Sequence, residues 1–299
     1  MTTLKRRLAA TAFVGSLLSA TALAQLSEYG IEGLWMVSTR DAEMRGSVSP
    51  DGQRIVWGSA DRAGGAGGGD LWQARLQDKR WSAPAPLPLN SPADDAEPMF
   101  SADGRWLYFA SARKGGSGGH DLYRAPVLAD GATGAAVNLG AAVNGRGHER
   151  SPTISADGQW LLFSSDSRKG AGGYDLFVAR WDGKAFIDPR PVPGVNTEAD
   201  EIDSAWLDDG RVLLFSRSSQ AGGEATRLYL AACNGQAYAD ARPWTLSFNT
   251  GEGVTRAPVV DASKPTEIVV TGSARAPKAG KGDLYRTVTP TLKGKPGCR

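Results

Sequence analysis

The sequence predicts an all-β protein folded as a single β-propeller, five blades of four-stranded antiparallel sheet, and three observations predict it. A unit of about 52 residues recurs in four clear copies and one worn copy, its Asp-Gly pair standing at Asp51, Asp103, Asp157 and Asp209, spaced 52, 54 and 52 residues apart. An Asp-Leu-aromatic element recurs at Asp70, Asp121, Asp175 and Asp283, and asparagines recur at Asn90, Asn144, Asn196 and Asn249. After each Asp-Gly comes a short, nearly all-apolar run, as in Trp106 to Phe109 and Trp160 to Phe163. A glycine-dense period near 50 residues with short β-type runs is the mark of a radially repeated sheet.

In chain order, residues 1–24 read as a secretory signal peptide: Lys5-Arg6-Arg7, an apolar stretch from Leu8 to Ala20, then Ala22-Leu23-Ala24 before Gln25. The segment is too short for a stable membrane span, and no later segment approaches that length. The propeller is expected over 25–290, with a Pro/Gly/Lys tail over 291–299. Within each copy the first strand precedes the Asp-Gly turn, a strong hairpin signal. The second strand is the apolar run, covered on both faces as a blade between two neighbours would be. The third starts at the Asp-Leu-aromatic element, and a weaker fourth precedes each asparagine. The last copy lacks a fourth strand, while Leu34 to Val37 form an orphan strand before the first copy. Closure by that N-terminal strand would complete the fifth blade and remove the exposed edges. Six blades is the alternative count.

The chain carries 34 Lys and Arg against 32 Asp and Glu, but three of the cations lie in the leader, leaving 31 against 32. A near-neutral mature chain gives no electrostatic ground for nucleic-acid binding. Cys233 and Cys298, an even count in an exported chain, are expected to pair as a disulfide that ties the tail to the fourth repeat. The location implied is periplasmic or secreted.

The repeats Ser49-Pro-Asp-Gly52, Ser101-Ala-Asp-Gly104 and Ser155-Ala-Asp-Gly158, with the Asp-Leu-aromatic elements, resemble the WD-like β-propeller repeat of the TolB type across nearly the whole mature chain. That resemblance implies the fold and a periplasmic or cell-surface setting, in which such repeats serve envelope scaffolds, peptidoglycan-associated proteins and caps on peptidases. TolB's separate N-terminal α/β domain has no counterpart in this chain.

Aligned on Asp-Gly, the copies expose a column of acids eight residues upstream: Glu43, Asp95, Glu149 and Glu201, with Thr255 in the fifth copy. In a propeller this position starts the innermost strand, at the channel mouth. Two readings stay open. The carboxylates could form a negative ring that binds a cation or a cationic group, with His148 beside them. Alternatively, each accepts hydrogen bonds from its own loop, partnered by the asparagine five residues earlier. No cofactor is required; calcium is the cation such oxygen ligands would suit, since zinc prefers histidine or thiolate. A third reading makes them the acid and base of a propeller glycoside hydrolase, with Glu97 and Asp203 nearby, but catalysis needs carboxylates in unlike environments and the column is near-uniform.

Glycine-rich loops, Gly64 to Gly69, Gly115 to Gly119 and Gly170 to Gly173, lie between an arginine (Arg62, Arg113, Arg168) and an aspartate (Asp70, Asp121, Asp175), and the fifth copy keeps Arg275 and Asp283. The aspartate is expected to tie loop amides and pair with the arginine. The Gly-x-Ser-x-Gly match at Gly115 to Gly119 lies in such a β-loop rather than a strand-to-helix elbow. His120 and His148 are the only histidines. The function expected is therefore a binding or scaffolding module for a protein or cell-wall component rather than an enzyme, with glycoside hydrolysis as the alternative.

Overall fold

A computed structural model describes residues 30–60, 62–218, 226–244, 246, 254–273 and 279–299. The leader, Asn249 and Arg275 lie outside the described residues. Five antiparallel sheets follow one another along the chain as the blades of a β-propeller. Blade 1 comprises β1 (Met44–Val48), β2 (Arg54–Ser59) and β3 (Asp70–Gln77), with an outer strand in two pieces, β4 (Arg80–Trp81) and β5 (Ala85–Pro86). Blade 2 is β6 (Asp95–Phe100), β7 (Trp106–Ser111), β8 (Asp121–Pro126) and β9 (Val137–Asn138). Blade 3 is β10 (Glu149–Ile154), β11 (Trp160–Ser165), β12 (Asp175–Trp181) and β13 (Phe186–Pro191). Blade 4 is β14 (Glu201–Leu207), β15 (Val212–Ser218), β16 (Thr226–Cys233) and β17 (Tyr238–Pro243), and blade 5 is β18 (Thr255–Val260), β19 (Glu267–Gly272) and β20 (Asp283–Val288).

The Ser-x-Asp-Gly turn between the first two strands has a local chemical cause. In blade 1, Ser49 Oγ donates to Asp51 Oδ1 at 2.5 Å and accepts from Arg54 N at 3.0 Å, while Asp51 Oδ1 also accepts from Gln53 N. The same set recurs at Ser101–Asp103 and Ser155–Asp157. These bonds hold the turn aspartates below the ordinary carboxylate range at Asp51, where the serine bond leads, and at Asp103 and Asp157, where they outweigh burial. Gly52, Gly104 and Gly158 close the turns at φ near 70° (69°, 69° and 71°), which only glycine adopts without strain.

The apolar second strands are sandwiched as their composition predicts. Five buried clusters form, one between each pair of neighbouring blades. Phe163 and Phe177 of blade 3 meet Tyr108 and Leu122 of blade 2, and Trp57 and Ile55 of blade 1 meet Val269 and Leu284 of blade 5. Each such large apolar side chain contributes about 1.5–3 kcal/mol by burial. The clusters form a complete cycle, so the core is itself a ring.

Closure is N-terminal but uses different residues from Leu34 to Val37. Ile31 bridges Tyr285 of β20, Glu32 N donates to Leu284 O at 2.8 Å, and Arg286 N donates to Gly30 O at 3.0 Å. The Arg286 guanidinium then grips Glu32 at 2.6 Å. Residues 34–37 must instead carry the chain from the outer edge of blade 5 to the inner strand of blade 1. They form a turn, with Val37 buried and Leu34, Trp35 and Met36 exposed. Cys233 and Cys298 are disulfide-bonded, which fixes the tail against β16. Among the described residues no helix is long and apolar enough to cross a membrane.

Candidate functional site

Asp95, Glu149 and Glu201 start their inner strands and Glu43 stands just before β1, and all four carboxylates are buried. Each is occupied by its own blade. Glu43 accepts from Thr39 N (2.9 Å) and Thr39 Oγ1 (2.7 Å), with Arg62 at 3.5 Å. Glu201 repeats this with Thr197 N (2.9 Å), Thr197 Oγ1 (2.7 Å) and Arg217 (2.6 Å). Asp95 takes Ser91 N (2.5 Å) and Arg113 (2.6 Å), whereas Glu149 takes Gly145 N, Ser165 Oγ and Ser167 Oγ, all at 2.6–2.7 Å. No partner is common to two of the four. Burial pushes Glu43 up to about 7 and also raises Glu201, outweighing the threonine bonds and the arginines.

The residue four positions upstream, not the asparagine five upstream, supplies these bonds. Asn90, Asn144 and Asn196 each exchange two hydrogen bonds with the backbone N–H and C=O of Leu71, Leu122 and Leu176, at 2.8–3.0 Å. Their amides continue the ladder beside the third strand, where the fourth strand has ended.

The aspartates that close the glycine-rich loops tie loop amides: Asp70 accepts from Ala66 and Gly67, Asp175 from Ala171 and Gly172, Asp283 from Ala279 and Gly280. Arg62, Arg113 and Arg168, however, are not ion-paired with Asp70, Asp121 and Asp175. Arg62, Arg113, Arg168 and Arg217 lie over aromatic pairs from the second and third strands, 4.8–5.9 Å from the ring centres. From there they reach the acidic column or a backbone carbonyl. A guanidinium face prefers an aromatic surface and its edge a carboxylate, and this geometry satisfies both.

His148 and His120 are in contact, their rings 5.2 Å apart with Nδ1 atoms at 3.0 Å. His148 N donates to Asp166 and His120 Nε2 lies 3.7 Å from Asp94. Burial lowers the His120 pKa, and nearby Arg150 lowers it further. His148 therefore joins blades 2 and 3 at the carboxylate end of the channel, and its neighbour is His120 rather than Glu149. Among the described residues no group of three or more His, Cys, Asp and Glu side chains is placed to hold a metal ion.

The residues that do meet stand two positions further on. Every inner strand carries a β-bulge there, and Arg45, Glu97, Ser151 and Ala257 occupy it at φ of 52–58°. A bulge of this kind re-aims a side chain out of the strand's alternation. Arg45, wholly buried, crosses from blade 1 to blade 3, where Nη2 donates to Pro152 O (2.8 Å) and Thr153 Oγ1 (2.9 Å). Ser151 joins two acids, its N–H donating to Glu97 (2.7 Å) and its Oγ to Asp203 (2.5 Å). Glu97 also lies 2.7 Å from Arg150, and Asp203 lies 2.9 Å from Arg256. Burial would raise both carboxyls, but Arg150 holds Glu97 down, and Arg256 with Arg45 holds Asp203 down. Both are ionised at neutral pH. The available signal in the sequence was the unlike composition of this column, one Arg, one Glu, one Ser, one Asp and one Ala, followed by proline in three copies.

Below Thr153 the channel opens at its other end, among the Asp-Gly turns, into a cavity of about 430 Å³. Its wall is mainly apolar, with Met99, Ile154, Trp206, Val259 and Leu292 prominent, and Lys293 and Arg299 of the tail at the rim. Arg299 lies over Trp206 and is ion-paired with Asp209, and Leu292 packs against the cluster between blades 4 and 5.

No family model and no curated protein matches the chain. Among solved structures, it is similar to Kuenenia stuttgartiensis hydrazine synthase at 14% identity and TM-score 0.54, over 85% of this chain and 39% of that one. It is similar to TolB from Acinetobacter baumannii at 14% identity and TM-score 0.50, over 85% and 56%. An endo-arabinase from Bacteroides thetaiotaomicron VPI-5482 aligns at 16% identity and TM-score 0.53, over 89% of this chain and 99% of that one. The chain thus spans well under two thirds of the first two proteins. At these identities the likeness is one of fold.

Proposed function

We propose that this chain is an exported propeller of the TolB type that acts as a binding or scaffolding module, receiving a protein or cell-envelope component at the cavity among its Asp-Gly turns. The observation that carries this reading is the division of labour along the channel. The carboxylates at one mouth are buried and saturated, whereas the other mouth presents a concave, mainly apolar surface of about 430 Å³ with a polar rim. Ligand sites are built that way. The proposed leader and the disulfide support export.

Glycoside hydrolysis is the second reading, favoured by one observation: Glu97 and Asp203 are bridged through Ser151, within reach of the separations glycosidases use. Against it, a hydrolase needs one of the two protonated, and arginines hold both ionised. The test is retention of the purified protein on separated envelope protein and peptidoglycan fractions, beside an arabino-oligosaccharide hydrolysis assay. Binding that Trp206→Ala and Lys293→Glu weaken, with the circular-dichroism spectrum unchanged, supports the module. Hydrolysis abolished by Glu97→Gln replaces it with the enzyme.

A further inference from the structure

We propose that the channel of this propeller, at its carboxylate end, holds a small monovalent anion, a halide or a carboxylate, between the guanidinium groups of Arg45, Arg150 and Arg256. The first ground is charge. Three cations, Arg45, Arg150 and Arg256, surround two acids, Glu97 and Asp203. The acids of the neighbouring column cannot supply the missing negative charge, since Glu43, Asp95 and Glu201 are already paired with Arg62, Arg113 and Arg217, and Glu149 is offset by the Arg168 charge that acts on it. An excess positive charge in a desolvated site is costly unless a counter-charge joins it.

The second ground is independent of the count. Arg45 is 0% exposed, yet its Nε and Nη1 have no hydrogen-bond partner, and Nη1 stands 3.9 Å from Asp203, beyond hydrogen-bond distance. Arg150 Nε and Arg256 Nη2 are likewise buried without partners. Native proteins rarely leave such donors unsatisfied, and an unpaired buried guanidinium N–H points to an ion or water. All four atoms are donors, and the one orphaned carboxylate oxygen beside them, Glu97 Oε1, already faces Arg150 Nη2 at 2.7 Å, so a further acceptor is required. Net charge then selects the anion's valence: one negative charge balances the site, while sulfate or phosphate would overshoot. A route exists, because the Arg150 and Arg256 side chains are 28% and 17% exposed and lead inward to Arg45. The backbone strain at Arg45, φ 53°, is what turns this side chain across the channel.

The test uses the purified protein crystallised from bromide, and separately from acetate without halide. With bromide, one anomalous peak is expected within hydrogen-bond distance of Arg45 Nε or Nη1. In solution at constant ionic strength, the midpoint of thermal unfolding should climb and saturate with the binding anion. Arg256→Gln should weaken that dependence by about tenfold in concentration, and Arg45→Met should abolish it. Acetate displacing bromide identifies a carboxylate site, and acetate failing to do so identifies a halide site. Water alone at these donors in both crystals, with a midpoint indifferent to the anion, overturns the proposal. Should Arg45→Met fail to fold, the bromide crystal and Arg256→Gln still decide it.

Discussion

Two columns of side chains, two residues apart on the same five strands, behave in opposite ways. The acids at Glu43, Asp95, Glu149 and Glu201 are nearly alike, and each bonds only within its own blade. The column at Arg45, Glu97, Ser151, Asp203 and Ala257 is unlike at every position and bonds across blades. Repetition therefore marks what a blade needs to hold itself together, and departure from repetition marks what the ring builds once. Chemistry that needs asymmetry belongs to the second column.

The largest effect that could break this contrast is in stability. Glu201→Ala leaves the partly buried Arg217 without its carboxylate and strands the Thr197 amide, a loss of about 3–5 kcal/mol. Arg45→Met should cost less, about 1–3 kcal/mol for the Pro152 carbonyl it leaves bare, because Asp203 keeps Arg256 and Ser151. Urea unfolding of both variants checks the order. If Arg45→Met proves the costlier, the second column is a structural keystone and the contrast fails.

Next in size is the tail. Replacing Cys233 and Cys298 with alanine removes a crosslink across 65 residues and should cost about 2–4 kcal/mol. Neither column is touched by that change. The substitution should therefore loosen Leu292 to Arg299 at the cavity rim while leaving the anion dependence of the channel intact. Hydrogen exchange resolved along the chain distinguishes these outcomes, and protection lost around Arg45 would show that the two mouths are coupled.

The fold was legible because blade geometry repeats: Asp-Gly, the apolar second strand and the Asp-Leu-aromatic step each recur at fixed spacing. Side-chain partners were less so. Arg62, Arg113 and Arg217 are bound to acids at the start of the inner strand, and Arg168 to backbone carbonyls, rather than to the nearer loop aspartates, a choice made by the aromatic pair beneath them. In blade 4 that arginine is Arg217, standing where Ser59, Ser111 and Ser165 stand in the others. Sequence alignment alone shows a lost motif there, and only the fold shows that its role survives. The channel column was hidden by the bulges, since one extra residue breaks the alternation from which a strand's facing is read. Closure was misplaced by three residues because Ile31 pairs as a single bridge, too short to read as a strand.

The last effect sharpens the first column. Glu43 has a folded-state pKa of about 7 against an ordinary 4.5, raised chiefly by burial. Between those values the folded protein retains a proton that the unfolded chain has released. The corresponding stability is complete below pH 4.5 and is lost as pH rises through about 7. Glu201, raised in the same direction, adds to the same slope. Stability should therefore decline across this window by an amount on the order of 3 kcal/mol attributable to Glu43. Glu43→Gln cannot release a proton and should flatten that part of the slope in urea midpoints measured from pH 4.5 to 7.5. Because Thr39 and Arg62 still find an oxygen at that position, the fold should persist. An unaltered slope would mean that Arg62 and Thr39 keep Glu43 ionised throughout, making the acid column a set of permanent ion pairs rather than buried groups poised near neutrality.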